Sequence, residues 1–397
     1  MSDMAQVRAA GAEVSVTRAV PVAPADARSR YVRAAVSVLR EQAWFIAVVL
    51  LYLLAGFAVG KAYGQDIRLG MYNDVHLVLY ANFALFWVIF RIVWSLAKHR
   101  PERPLRFVWT DLKTGYFAPR RLLSALPAFV LLPLALSMTT SLKRMIPLIS
   151  PFSWDPVLMK IDWVLHGGNH PWELLQPVVG LPLATAVISN AYALPWYTLV
   201  LFMQFWHTFT LDRRRTRFLI TYVLCWALMG NGLATVLSSA GPVYYGYLFD
   251  GPNPFAPLMS YLESVSDSFA LPSYLAQQYL WENYQKDFLR LGSGISAMPS
   301  LHISMGLLLV LVTWHLHRIV RVATIAFLIV LQIGAVHLGW HYAVDGYVAL
   351  IGTGLIWWAV GRALVWRGRP ADRRRGAGLP PGPGHTGPMS RGGVRQC

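Results

Sequence analysis

Residues 43–60, AWFIAVVLLYLLAGFAVG, form an uninterrupted apolar run that ends at Lys61. Wound as a helix, a run of this length crosses the hydrocarbon core of a bilayer. Seven similar runs follow along the chain, near residues 76–97, 122–141, 183–208, 218–240, 298–316, 319–338 and 341–363. The sequence therefore predicts an all-α, polytopic membrane bundle of about eight transmembrane helices.

The composition agrees with a membrane protein, because 55% of the 397 residues are hydrophobic and only 14% are charged. A formal charge of +16 can also indicate a nucleic-acid partner, so its distribution decides between the two. With a cytoplasmic N-terminus, 27 of the 35 Lys and Arg fall in inside segments, seven fall in outside loops, and Arg91 lies within a span. This asymmetry predicts two cytoplasmic termini and no bound nucleic acid.

The segments around the spans divide the chain into four predicted regions. The N-terminal region lacks the apolar core of a cleavable signal peptide. The C-terminal tail is rich in Gly, Pro and Arg, and we expect it to be disordered. The regions are a cytoplasmic segment at 1–42, two additional transmembrane helices with a basic loop at 43–121, a six-helix catalytic core at 122–363, and the tail at 364–397.

Two outside segments, 142–182 and 241–297, are dense in Trp, Tyr and Pro. This composition suits structures that lie at the membrane interface and cover a site. The two cysteines, Cys225 and Cys397, provide neither a disulfide framework nor a set of four metal ligands.

Ionisable residues lie at one predicted membrane face in two stretches, AMPSLH at 297–302 and HLGWHYAVDG at 337–346. His341 and Asp345 are four residues apart, so on a helix Asp345 accepts a hydrogen bond from one ring nitrogen. The other nitrogen of His341 is then free to act as a nucleophile. His302 arrives from a different helix and can supply or remove a proton across the reacting centre.

The loop before His302, LGSGISAMPS, has the composition of an anion site. Its glycines permit unusual backbone angles, and Pro299 suits the first turn of a helix. A glycine loop that enters a helix N-terminus directs backbone N–H groups at an anion, and phosphate is the anion that a histidine nucleophile attacks. The predicted phosphate or substrate contacts are Gly292, Ser293, Gly294 and Ser300.

AMPSLH followed by HYAVD resembles the second and third signature motifs of the type 2 phosphatidic acid phosphatase superfamily, and PSLH is similar to its inositol phosphorylceramide synthase branch. The resemblance covers about residues 290–350. It implies that His341 forms a phosphohistidine, with Asp345 as its partner and His302 as the general acid. The stretch SSAGPVYYG, residues 238–246, lies where the first motif would fall and resembles the synthase branch more loosely.

The chain departs from the hydrolases of this superfamily at two cationic positions. Their first motif is a lysine followed seven residues later by Arg-Pro, but Arg103-Pro104 has Leu96 at the lysine position and lies on the other side of the membrane. Ala335 stands where the third motif has an arginine. We name Lys286 and Arg290 as candidate replacements, although their interpretation as part of an interfacial helix over ENYQKDFLRL is slightly favoured.

Together these features predict an integral membrane phosphotransferase of lipid metabolism, with its active site on the extracytoplasmic side. It moves a phosphate-bearing headgroup from a phospholipid donor to a lipid hydroxyl acceptor, without a metal or organic cofactor. The resemblance alone implies a sphingolipid acceptor. A lipid phosphate phosphatase is the alternative, and the oligomeric state is left open.

Two further classes of function are weighed against this enzyme. His337, His341 and Asp345 repeat at i, i+4 and i+8, as in a helical metal site, but Gly339 interrupts the stripe. A transporter would use polar residues such as Asn231 to line a path. The ionisable residues cluster at one end of the spans instead, which favours chemistry on a lipid headgroup.

Overall fold

A computed structural model describes residues 27–99, 101–116 and 118–367. Within these ranges the chain is helical and contains no β-strand. In chain order the helices are α1 Ala27–Glu41, α2 Ala43–Ala62, α3 Asn73–His99, α4 Pro104–Asp111, α5 Pro119–Ile149, α6 Asp155–Leu165, α7 Pro171–Val179, α8 Pro182–Phe209, α9 Arg213–Leu224, α10 Ala234–Val236, α11 Tyr245–Leu248, α12 Ala256–Ser266, α13 Pro272–Gln285, α14 Leu301–Thr313, α15 Arg318–His337 and α16 Ala343–Arg367. A π-helical segment, Cys225–Leu233, joins α9 to α10 without a break.

Among the described residues, seven helices are long and apolar enough to cross a membrane. They are Ala43–Ala62, Asn73–Lys98, Pro119–Ile149, Pro182–Phe209, Arg214–Val236, Arg318–His337 and Ala343–Val365. The predicted span at 298–316 is α14, a helix of 13 residues, which is about 20 Å long. The all-α polytopic bundle predicted from the sequence is confirmed.

The short helix α14 lies inside the bundle, in contact with α8, α9, α15 and α16. Ile303, Met305 and Leu308 on this helix are completely buried. Its N-terminus comes very close to the π-helical segment, where a Cβ on Gly230 would lie 2.8 Å from Leu301 Cδ1. Because protein covers it, α14 does not have to match the thickness of the bilayer.

Helix α5 continues past the predicted end at residue 141 and ends at Ile149. Lys143 and Arg144, which hydropathy assigned to an outside loop, therefore lie on the helix. Charge interrupts an apolar run, but Lys and Arg are good helix formers and do not interrupt the helix itself.

The last helix begins at Ala343 rather than at 341, so His341 lies in the turn before it. Gly339 has φ of +70° in this turn, a left-handed conformation that favours glycine. Helix α16 then continues to Arg367, past the predicted start of the tail at 364. The rest of the predicted disordered tail, from 368, lies outside the described residues, as does the N-terminal segment before residue 27.

Candidate active site

A cavity of about 210 Å³ lies where α5, α8, α13 and the N-terminus of α14 meet. Its lining brings together His302 and His341 from the two sequence motifs, Gly292 and Gly294 from the glycine loop, and Lys143 from α5. No carboxylate side chain of the described residues lines it. A cavity with a lysine, two imidazoles and no carboxylate is suited to an anionic ligand.

His341 and Asp345 form the predicted pair, with Nδ1 of the ring 3.3 Å from Asp345 Oδ2. Asp345 is completely buried, and the same Oδ2 accepts the backbone N–H of Tyr342 at 3.1 Å. His341 lies in the turn before α16 and Asp345 in the first turn of that helix, whereas the sequence predicted that both residues lie on one helix. An acceptor at Nδ1 favours the tautomer with its proton there and its lone pair on Nε2.

His341 is held in its neutral form. Burial and, second, the Lys143 ammonium lower the pKa of His341 to about 3, against the opposing effect of a backbone hydrogen bond with Ala297. A neutral imidazole at pH 7 is the form that nucleophilic attack requires.

His302 is stacked between two aromatic rings of α8. Its ring centroid lies 4.1 Å from that of Tyr192 and 4.0 Å from that of Trp196, with interplanar angles of 13° and 27°. The Trp196 indole N–H donates to the His302 carbonyl at 3.2 Å. The centroids of His302 and His341 are 6.4 Å apart. The stacking fixes the position of the His302 ring.

The glycine loop lies directly against α5. Gly292 and Gly294 have φ of +69° and +98°, a region that side chains rarely adopt. A Cβ on Gly294 would lie 2.9 Å from the backbone nitrogen of Arg144. Glycine is therefore required at position 294 both for the turn and for this close approach.

The two predicted serine contacts, Ser293 and Ser300, are not among the residues that line the cavity. Ser293 Oγ accepts the backbone N–H of Arg290 at 3.0 Å, within its own turn. Ser300 is the N-cap of α14, so Pro299 precedes the cap instead of occupying the first turn. The Ser300 backbone N–H donates to the Asp345 carbonyl at 3.2 Å, which joins the element that carries His302 to the start of α16.

The candidate replacement cations lie on the surface. Lys286 Nζ is 2.5 Å from Glu282 Oε1, and both side chains are exposed. The Arg290 guanidinium lies 4.8 Å from the centroid of the Phe288 ring. Neither Lys286 nor Arg290 is among the residues that line the cavity.

Lys143 is the cation that the sequence analysis missed. The residue lines the cavity, and its side chain has neither a hydrogen bond nor an ion pair with any residue that the structure describes. It is followed seven residues later by Ser150-Pro151, so the lysine and the proline of the first motif are present and only the arginine is replaced. A search for the complete motif overlooks this partial match.

Asp155, at the start of α6, supports the stretch 238–246 that was matched loosely to the first motif. Its carboxylate accepts from the Ser239 hydroxyl at 2.9 Å, from the backbone N–H groups of Ala240 at 2.9 Å and Gly241 at 2.7 Å, and from the Tyr342 hydroxyl at 3.1 Å. Burial raises the pKa of Asp155, and these hydrogen bonds oppose the rise. One carboxylate thus joins the loop to the residue after His341.

Asp162, two turns further along α6, holds the start of α16. It accepts the backbone N–H groups of Ala343 at 2.6 Å and Val344 at 2.9 Å. This satisfies donors of the first helical turn, where a negative charge is also favourable. The sequence signal was a pair of acids seven residues apart, on one face of a helix whose other residues are apolar except for Lys160.

The residues that suggested a metal site or a transporter have structural roles in the fold. His337 ends α15, where its Nε2 lies 2.9 Å from Thr185 Oγ1, and it is separated from His341 by the turn at Gly339. No group of three or more His, Cys, Asp and Glu in the described ranges could hold a metal ion. Asn231 accepts from the Tyr52 hydroxyl at 2.6 Å in a polar cluster between helices.

A family model described as the PAP2 superfamily matches residues 156–359, just over half of the chain. The match includes His302, His341 and Asp345, but it begins after α5 and therefore excludes Lys143. No curated protein and no solved structure matches the chain significantly.

Proposed function

The chain belongs to the PAP2 superfamily, which supports a phosphatase- or phosphotransferase-type activity, and we propose that it is a lipid phosphotransferase similar to the inositol phosphorylceramide synthases. It moves a phosphate-bearing headgroup from a phospholipid to a lipid hydroxyl. One observation carries the proposal: His302 and His341 line the same small cavity with their ring centroids 6.4 Å apart, and Lys143 lines it too.

In the first half-reaction, the Nε2 lone pair of His341 attacks phosphorus while the bond from phosphorus to the lipid oxygen breaks. His302 gives its proton to that oxygen, so the lipid leaves as a neutral alcohol. The product is a phosphohistidine that carries the headgroup phosphate, and Asp345 balances the positive charge on the substituted ring.

In the second half-reaction, His302 takes the proton of the acceptor hydroxyl as its oxygen attacks phosphorus. The bond between phosphorus and Nε2 breaks, which returns His341 to its neutral form and releases the new lipid. Throughout, Lys143 and backbone N–H groups of the glycine loop stabilise the negative phosphoryl oxygens. No metal or organic cofactor enters these steps.

Two features support transfer over hydrolysis. Residues of α13, among them Pro272, Ala276 and Tyr279, line the cavity and limit its exposure to water, which would otherwise intercept the intermediate. Ala335 is buried in α15, so no side-chain cation stands where the hydrolases have an arginine. A phosphatase remains the second candidate, because the histidine pair serves both reactions.

The charge distribution supports a cavity on the extracytoplasmic side and cytoplasmic termini. This orientation makes the headgroups of the outer or lumenal leaflet the substrates. A sphingolipid acceptor and an inositol-bearing donor are part of the proposal through the resemblance of PSLH to the synthase branch.

The deciding experiment gives the purified enzyme a phospholipid labelled at its phosphorus, with and without a lipid acceptor. We expect labelled phosphorus in a new lipid, formed appreciably faster when the acceptor is present, and no turnover by His341→Ala. A stopped reaction should contain an acid-labile phosphorylated protein. Release of water-soluble phosphate at a rate indifferent to every acceptor would establish the phosphatase instead, and near-normal turnover by His341→Ala would disprove the mechanism.

A further inference from the structure

The loop between α2 and α3, residues 63–72, is here named the outer strap. It precedes the region that the family model matches, and the mechanism above makes no use of it. The strap nevertheless packs against the end of α5 that carries Lys143. Its contacts with α5 are hydrogen bonds rather than apolar contacts alone, so they specify one relative position of the two elements.

Three hydroxyl side chains of α5 form hydrogen bonds with the outer strap. The Tyr72 backbone N–H donates to Ser137 Oγ at 3.3 Å, and the Tyr72 hydroxyl lies 3.0 Å from Thr140 Oγ1. One turn along, the Arg68 backbone N–H donates to Ser141 Oγ at 3.2 Å. The three α5 residues share one face of the helix, since they are three and four residues apart.

Arg144, the residue next to Lys143, is held from two sides. Its Nη2 donates to Gln65 Oε1 of the strap at 2.6 Å. Its Nη1 forms an ion pair with Asp287 Oδ1 at 3.1 Å, in the segment that leads into the glycine loop. Arg144 therefore joins the strap, α5 and the approach to the glycine loop.

The glycine loop also packs against this end of α5. Burial raises the pKa of the Tyr72 hydroxyl, and the Thr140 hydroxyl and the backbone of Gly292 oppose this rise. Gly294 approaches the backbone of Lys143 and Arg144 so closely that a Cβ there would lie 2.9 Å from the Lys143 carbonyl carbon. Tyr72 therefore connects the strap to α5, and Arg144 connects α5 to the segment before the glycine loop.

We propose that the outer strap is a positioning element of the active site, which acts through Tyr72 and Arg144 to fix Lys143 relative to the backbone N–H groups of the glycine loop. The inference rests on the proposed function, which assigns phosphate to these two groups. Neither Tyr72 nor Arg144 lines the cavity, so both act through other residues. Helices α2 and α3, which the outer strap connects, then contribute to catalysis in addition to anchoring the chain in the membrane.

Orthovanadate is a suitable probe, because it occupies phosphate sites without an acceptor or an acyl chain. In the full-length enzyme, Tyr72→Phe removes one hydroxyl and keeps the ring. We expect the inhibition constant for orthovanadate and the KM for the donor to rise about three- to tenfold, the effect of one lost hydrogen bond, with the KM for the acceptor unchanged. Tyr80→Phe is the matched control on α3, since its hydroxyl lies 3.3 Å from Thr208 and it does not line the cavity.

If Tyr72→Phe does not fold, the variants Arg144→Met and Arg144→Lys test the positioning role of the outer strap instead. Lysine keeps a cation for Asp287, so it should weaken orthovanadate binding less than methionine does. Equal inhibition constants for Tyr72→Phe and Tyr80→Phe, or for Arg144→Met and the wild type, would overturn the inference while the wild-type enzyme still turns over lipid. A wild-type enzyme that neither binds orthovanadate nor turns over any phospholipid would overturn the proposed function, and this inference with it.

Discussion

Replacing Lys143 with methionine tests the electrostatics of the cavity most directly. Lys143 is a cation among the residues that line it, and no described residue pairs with it. A charge-assisted hydrogen bond contributes about 1.5–3 kcal/mol, so its loss should lower kcat/KM by roughly 10- to 150-fold. Because methionine is similar in length and leaves no partner unpaired, the thermal unfolding temperature should stay the same or rise.

The same change should alter the pH profile. The Lys143 ammonium contributes to the lowered pKa of His341, so its removal should raise that pKa from about 3. His341 must be neutral to attack, and the acid limb of kcat/KM should therefore move to higher pH in Lys143→Met. Burial is the larger cause and remains, so the rate loss at pH 7 reflects the missing phosphate contact.

The assay is the initial rate with a labelled donor in mixed micelles, measured across pH. Lys160→Met is the control, because Lys160 lies 4.0 Å from the centroid of the Trp163 ring on α6 and does not line the cavity. A Lys143→Met enzyme within twofold of the wild type, with an unmoved acid limb, would refute the assignment of Lys143 to phosphate.

The other predictions concern the histidine pair, the support of α16 and the orientation. Asp345→Asn should keep the thermal unfolding temperature close to wild type but lower kcat on the order of a hundredfold or more, because the ring of His341 loses its charge partner and tautomer; an unchanged kcat would contradict this. Asp162→Ala leaves two backbone N–H groups without their acceptor and should lower the free energy of unfolding by about 2–4 kcal/mol in denaturant titrations, with Asp162→Asn intermediate; equal stabilities would show that water replaces the carboxylate. A membrane-impermeant thiol reagent should label cysteines placed at 241–290 from outside and not those placed at 211–217, and the reverse pattern would move the site to the cytoplasm.

Hydropathy predicted the bundle because lipid imposes one strong requirement, a long apolar helix, and α2, α8 and α15 satisfy it without interruption. Counting spans then placed His302 and His341 at one face, and the structure places both around one cavity. The same counting misplaced Lys143, because a hydropathy window ends at the first charges whether or not the helix does. In α5, Lys143 lines the cavity and Arg144 contacts the outer strap. Predicting that a helix continues through these charges requires knowledge of the elements that pack against it.

The support of the two histidines could not be predicted from the sequence. Tyr192 and Trp196 stack on His302, yet an aromatic residue in an apolar span has the same pattern when it faces lipid. Asp155 and Asp162 belong to a segment that the sequence predicts to lie outside the membrane spans, where acids are ordinarily solvated. Only the fold reveals that backbone donors more than 80 residues away in the sequence surround them.

The position of α6 in the chain has a consequence for biosynthesis. Asp155 and Asp162 are made early, whereas the donors that satisfy them come from residues 239–241 and, last of all, 342–344. Until the final helix docks, Asp162 lacks both of its backbone partners and the ring of His341 has no fixed place. If His341 is the nucleophile, as proposed, an incompletely inserted chain has no assembled nucleophile, and activity arises only when membrane insertion is complete.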